Sequence, residues 1–219
     1  MKTLIGVLTI FLLFISQTGC KNQSTEPTVD QNSHDSTFIT ERKPNLYIYP
    51  KEEMNLAVTI AFPRGGKITE SLPIYNEGWS VSVKPSGLID NIYAYLFYEC
   101  RVPDLTQKSF GWLISQKDLK QFFKENMSTS GFNEKEIKDF TDYWAPLLKD
   151  YSYYEIYPQY KSTLDKMSIL QFTVTPDKLY RLQYVIIGRD NNDITLHAPQ
   201  IEVANRIGFY VVEWGVILK

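Results

Sequence analysis

The sequence predicts an α+β fold: antiparallel sheet carrying one inserted αα-hairpin, in a single domain. Three observations predict it. Short stretches of alternating apolar and polar residues, punctuated by Gly and Pro, fill positions 55–100. A helix-period pattern replaces them from 115 to 148. Alternation then returns and continues to the C-terminus. Strands in one block, helices in the next and strands again argue against a doubly wound parallel sheet, in which the two alternate.

In chain order, NLAVTIAF (55–62) places Leu56, Val58, Ile60 and Phe62 on one face, and Arg64-Gly65-Gly66 offers a turn. WSVSVKP repeats the pattern with Trp79, Val81 and Val83, before the turn Pro85-Ser86-Gly87. IYAYLFYEC (92–100) is the third strand. Ser115 and Asp118 stand at capping-box spacing, followed by Leu119, Phe122, Phe123 and Met127 at helical intervals. Gly131 ends that helix, and Asn133 and Glu136 begin another. Its apolar face carries Ile137, Phe140, Tyr143, Trp144, Leu147 and Leu148. Pro146 lacks a backbone donor and should end it near Trp144. Strand signals resume at 153–157, 168–175, 179–187 and 209–218, with a polar connection at 188–193.

The N-terminus carries an address. Lys2 is followed by an apolar run from Leu4 to Ile15, too short for a bilayer core, which needs roughly 20 helical residues. The run suits a secretory signal. Its end, Gln17-Thr18-Gly19-Cys20, resembles the lipobox of bacterial lipoproteins, although Gln17 stands where an aliphatic residue is usual. The resemblance implies a signal peptide over 1–19 and lipidation of Cys20. It also implies an extracytoplasmic protein held in the bacterial cell envelope, on the periplasmic side or the cell surface. The competing reading is a plain signal peptide with an incidental cysteine. Residues 21–43 are polar and have too few apolar groups to offset ordering entropy, so 20–43 read as lipidated cysteine and flexible tether, with His34 solvated. Residues 44–219 then form the folded domain, long enough for a substantial core.

Composition excludes several classes. Without residues 1–20 the chain keeps 22 basic and 25 acidic residues, a net of −3, so nucleic acid is not an expected partner. Cys100 is the one remaining cysteine; with no mate for a disulfide it should be buried. There is no G-x-S-x-G elbow, S-x-x-K, H-E-x-x-H or Walker loop. His197 is the single histidine of the domain, so a Ser-His-Asp triad would have to use it, and no metal or cofactor is expected. Asp190, Asn192 and Asp193 could offer oxygens to calcium, but their spacing reads as a solvated turn.

KPNLYIYP (43–50), GWSVSVKPSG (78–87), YAYLFYE (93–99), NEKEIKDFTDYWAPLL (133–148) and GFYVVEWG (208–215) together resemble a family of uncharacterised bacterial proteins. That family has motifs of the form KPxxYxYP, GWxVxxxPxG, YLFxE and GFxVVEWG in the same order. This chain departs from it at Tyr98, where the pattern has Trp, and after Gly215. The resemblance spans 44–219 and implies one secreted or surface domain without assigning an activity.

Two sets of residues could carry function. Glu99 and Glu213 sit late in apolar strands beside Tyr98 and Trp214. A carboxylate on an apolar face finds a donor or shifts its pKa upward, and two facing across a cleft are what glycoside hydrolysis needs. The competing reading pairs each with an arginine such as Arg101, Arg181 or Arg206. The second set is aromatic, drawn from 15 Tyr, 12 Phe and 4 Trp. Tyr143, Trp144 and Tyr154 are candidates for a ligand-binding platform, since flat rings with a polar edge stack on sugars; the simpler role for them is core. The favoured reading is a lipid-anchored extracytoplasmic module that binds glycan or protein without covalent chemistry. The alternative is an envelope-glycan hydrolase using Glu99 and Glu213, and a third is a structural envelope component with no small ligand.

Overall fold

The computed structural model describes residues 38–219. The signal peptide expected at 1–19, Cys20 and His34 lie outside the described residues. Strand β1 (Phe38–Tyr49) runs near the middle of a seven-stranded sheet, flanked by β5 (Leu96–Pro103) and β10 (Tyr210–Leu218). β3 (Lys67–Leu72) extends one side beyond β5. β9 (Lys178–Arg189), β7 (Tyr153–Tyr160) and β6 (Trp112–Ser115) extend the other, giving the order β3-β5-β1-β10-β9-β7-β6. A second sheet has three strands in the order β4 (Trp79–Val83), β2 (Met54–Ala61), β8 (Ile169–Phe172).

The protein is mostly β, and every strand pair is antiparallel except one: β10 runs parallel to β9. Parallel neighbours need a crossover of a dozen or more residues. Residues 190–209 supply it without regular secondary structure.

Two helices, α1 (Leu119–Thr129) and α2 (Glu134–Trp144), lie between β6 and β7 in sequence. Period-2 alternation of the large sheet builds three layers. Leu46, Ile48, Leu96, Tyr98 and Val211 point toward the small sheet and meet Leu56, Val58, Trp79 and Val81. Tyr47, Leu182, Tyr184, Val212 and Trp214 point the other way and meet Leu119, Phe123, Phe140 and Trp144 of the helices. The rings interlock edge to face, as aromatic quadrupoles favour: Phe123 on Phe140 at 4.9 Å and Phe140 on Trp214 at 5.2 Å. A short helix, α3 (Lys161–Leu164), follows β7.

The tether read at 20–43 ends too late. Residues 38–43 are already strand, with Phe38, Ile39, Thr40 and Glu41 paired to Pro103, Val102, Arg101 and Cys100. Phe, Ile and Thr are good strand formers, but their polar neighbours masked them in a compositional reading. The strand expected at 92–100 begins four residues late, at Leu96. The second helix is capped as its sequence suggests: the Asn133 side chain accepts from the Glu136 N–H at 2.9 Å, and Glu136 accepts from the Asn133 N–H at 2.8 Å.

Candidate functional site

A groove of about 1000 Å³ lies between the crossover, the 107–110 loop and the β7–α3 corner. Its aromatic walls are Phe110, half exposed, and Tyr160. Ser109, Ser162, Thr163 and Gln200 add hydroxyl and amide groups; Glu202 is its one charged lining residue. Burial pushes the Glu202 carboxyl up from its ordinary range.

Both walls are built from named bonds. On one side Gln107 folds its loop: the side-chain oxygen accepts from the Ser109 and Phe110 N–H groups, and the amide donates to the Phe110 and Pro158 carbonyls. Gln159 returns a bond to the Gln107 carbonyl at 2.8 Å and accepts from the Gln107 N–H. On the other side hydrogen bonds pin the crossover along its length. Gly111 N–H donates to the His197 carbonyl at 2.9 Å, and Ala204 N–H to the Ser130 carbonyl at 2.8 Å. Tyr180 donates its hydroxyl to the Glu202 carbonyl at 2.8 Å. Arg206 forks onto buried Glu136 at 2.9 and 3.0 Å, and its guanidinium lies over the Tyr210 ring at 4.7 Å. Gly131, at φ +88°, permits the close approach of Ala204, whose carbonyl would lie 3.1 Å from an added Cβ.

The aromatic residues singled out from sequence lie elsewhere. Trp144 and Tyr154 are 2 % and 3 % exposed and belong to the core beneath the helices, so they present no platform. Tyr143 is 42 % exposed and lines a smaller hollow of about 360 Å³ with Tyr95, Phe97, Glu70 and Glu99. Lys43 lines it too: its ammonium lies 4.5 Å from the Tyr143 ring centre and 4.9 Å from that of Phe97. Burial holds the Lys43 ammonium below its ordinary range, against the pull of Glu99, Glu70 and Asp139. Burial likewise pushes Glu99 up, while the Lys43 backbone N–H, donating at 3.2 Å, opposes it.

Glu99 and Glu213 are not brought together. β1 runs between their strands. Glu99 shares its face with Phe97, whereas Glu213 meets Tyr98, the adjacent residue on the opposite face. Glu213 is fully buried, receives the Tyr98 hydroxyl at 2.5 Å and is bound by Arg181 Nε at 2.6 Å. It therefore follows the arginine-paired alternative. Arg181 is also fully buried and reaches Asp165 at 3.0 Å and Ser168 Oγ at 3.1 Å. Cys100 is buried, and its thiol is pushed up by burial and by Glu41. His197 is an exposed crossover residue, and Asp190, Asn192 and Asp193 lie exposed in the same connection. Among the described residues no three acidic, histidine or cysteine groups gather as a metal site.

The groove is not legible in the sequence because its lining comes from three separate segments. Phe110 and Tyr160 sit far apart in the chain, and neither belongs to a motif. The available signal was the length and irregularity of 190–209, since long structureless connections in compact domains are often functional. Comparison with known proteins finds no matching family model, no matching curated protein and no matching solved structure.

Proposed function

We propose that the chain is a lipid-anchored extracytoplasmic binding domain that takes a neutral glycan in the groove beside the crossover. The observation that carries this reading is the lining: two aromatic rings with hydroxyl and amide groups around a single carboxylate. Rings stack on the apolar faces of sugars, and uncharged hydrogen-bonding groups match their hydroxyls. One carboxylate is too few for the two-carboxylate route of glycoside hydrolysis, which favours binding over cleavage. The anchored location rests on the lipobox-like Gln17-Thr18-Gly19-Cys20. Burial of acyl chains contributes about 0.8 kcal/mol per CH₂, so two or three chains hold a protein at a membrane without a spanning helix. The motifs across 44–219 support kinship with the uncharacterised bacterial family they resemble. The two helices are read as one inserted αα-hairpin, whose turn braces the groove wall through the Ser130–Ala204 bond.

The test is native mass spectrometry of the full chain with a panel of cell-wall and polysaccharide fragments, scoring adducts and cleaved products together. Adducts that weaken about tenfold or more in Phe110→Ala or Tyr160→Ala support the reading, on the scale of a lost stacking contact. Cleaved products would replace it with a hydrolase. Silence across the panel would leave a protein partner or a structural role. Intact mass of the membrane-extracted chain tests the anchor: a Cys20 start without acyl mass sinks it.

A further inference from the structure

Glu41 lies in the leading part of β1, wholly buried between the large sheet and the segment after α3. All its bonds fall on one oxygen. Oε2 accepts from Gln183 Nε2 at 3.0 Å and, at 3.5 Å, from Ser168 Oγ and Cys100 Sγ. Oε1 has no partner, and neither has Gln183 Oε1 on the same side-chain pair. Two acceptors cannot satisfy each other, and an unpaired buried oxygen loses its hydration without compensation. One proton on Glu41 Oε1 resolves both, because a carboxylic acid donates to an amide oxygen while the amide N–H donates back. The carboxyl is far more basic than the amide oxygen, so the proton belongs to Glu41.

The surrounding charges agree. The cation that acts on Glu41 is Arg181, and its five N–H groups already face Glu213 Oε1 and Oε2, Asp165 Oδ1, Tyr98 OH, and the hydroxyl and carbonyl of Ser168. Asp165 also binds Lys161. From β10, Glu213 faces Glu41 as a like charge; from β5 comes the Cys100 thiol, and from β9 Arg181 and Gln183. Burial and Glu213 both press the Glu41 carboxyl upward, with Arg181, Gln183 and Cys100 opposing.

We propose that Glu41 is a neutral carboxylic acid in the folded protein, its Oε1 proton bridged to Gln183 Oε1, and that this proton latches the leading end of β1. That end is where the chain enters the sheet from the residues read as a tether. Loss of the proton would set a second negative charge beside Glu213, with Arg181 already bound to other acceptors. The sign follows from linkage: the folded state holds the proton more tightly than the unfolded chain. The latch is complete below the ordinary glutamate pKa of 4.5 and weakens as pH rises toward and through the raised folded value.

The test uses the full chain and Glu41→Gln, whose amide can make the same two bonds with Gln183 without a titratable proton. Infrared spectra at neutral pH should show a protonated-carboxyl C=O band that Glu41→Gln removes. Hydrogen exchange of amides 38–42, corrected for intrinsic rate, should rise in the parent by up to about tenfold per pH unit between 4.5 and the raised folded value, level off above it, and stay flat in the variant. Parallel pH profiles, or a band that survives in Glu41→Gln, overturn the proposal. If Glu41→Gln does not fold, Gln183→Met serves: the acid band should persist but move to higher frequency as its acceptor is lost. An absent or unmoved band overturns it.

Discussion

Arg181 sits at the centre of the interior polar cluster with no solvent exposure, held by Glu213, Asp165, Ser168 and Tyr98. Desolvating such charges costs several kcal/mol per ion, and mutual attraction repays it only because nearly every donor and acceptor is matched. Removing one partner therefore costs more than removing the set. Arg181→Leu should destabilise the domain by about 3–5 kcal/mol, because Glu213 stays buried without its cation. Arg181→Leu combined with Glu213→Leu should recover a large part of that loss, which chemical denaturation of the two variants would measure. If the double variant is weaker by the sum of the single effects, the two side chains are not coupled. At this scale sequence reading was half informative. The arginine pairing open to Glu213 is made, with Arg181, whereas the facing of Glu99 and Glu213 that the alternative requires is not. Alternation along one strand cannot say which face of the shared sheet each strand turns to a given layer.

At the scale of elements, α2 and the crossover support each other through Glu136. Its carboxylate completes the capping box with Asn133, receives the Tyr49 hydroxyl at 2.7 Å and takes both arms of Arg206. Asn133→Ala removes the cap together with the side-chain amide's bonds to Glu136 Oε1 at 3.0 Å and Tyr49 OH at 3.4 Å, and should cost about 1–2 kcal/mol, read from the denaturation midpoint. Arg206→Ala acts differently, since Glu136 keeps its helix bonds while the crossover loses its anchor. Amide exchange over 198–206 should accelerate, any glycan adducts should weaken, and the transition should fall as well, because Glu136 stays buried without its cation; fast exchange there in the parent chain would contradict this. The cap was legible because it is local: Asn133 and Glu136 are three residues apart. The clamp was not, because Arg206 and Glu136 are brought together only by the fold. The same division explains the aromatic residues. Tyr143 and Trp144 are adjacent in sequence, yet successive helical positions point about 100° apart, so one is exposed and the other is core.

For the whole molecule, the strand and helix pattern was legible and the pairing was not. Nothing in the period-2 runs distinguishes a strand of the large sheet from one of the small sheet, or marks β9 and β10 as parallel neighbours. The least legible boundary was the N-terminal one, and it makes the sharpest prediction. With 38–43 read as tether, a chain beginning at Pro44 would look complete. In the folded protein those six residues carry four pairs to β5, bring Ile39 against the core and place Glu41 against Gln183, Cys100 and Ser168. Deleting them exposes the end of β5 and leaves Gln183 facing an empty polar site, a loss of about 3 kcal/mol or more by comparison with large-to-small core changes. For a domain of this size that is a fall in Tm of about 10 °C. A chain beginning at Phe38 should therefore melt with the full-length protein, and one beginning at Pro44 well below it, by calorimetry of the three side by side. Equal melting of the two shortened chains would mean that the leading end of β1 adds no stability, and with it the latch at Glu41 would lose its physical basis.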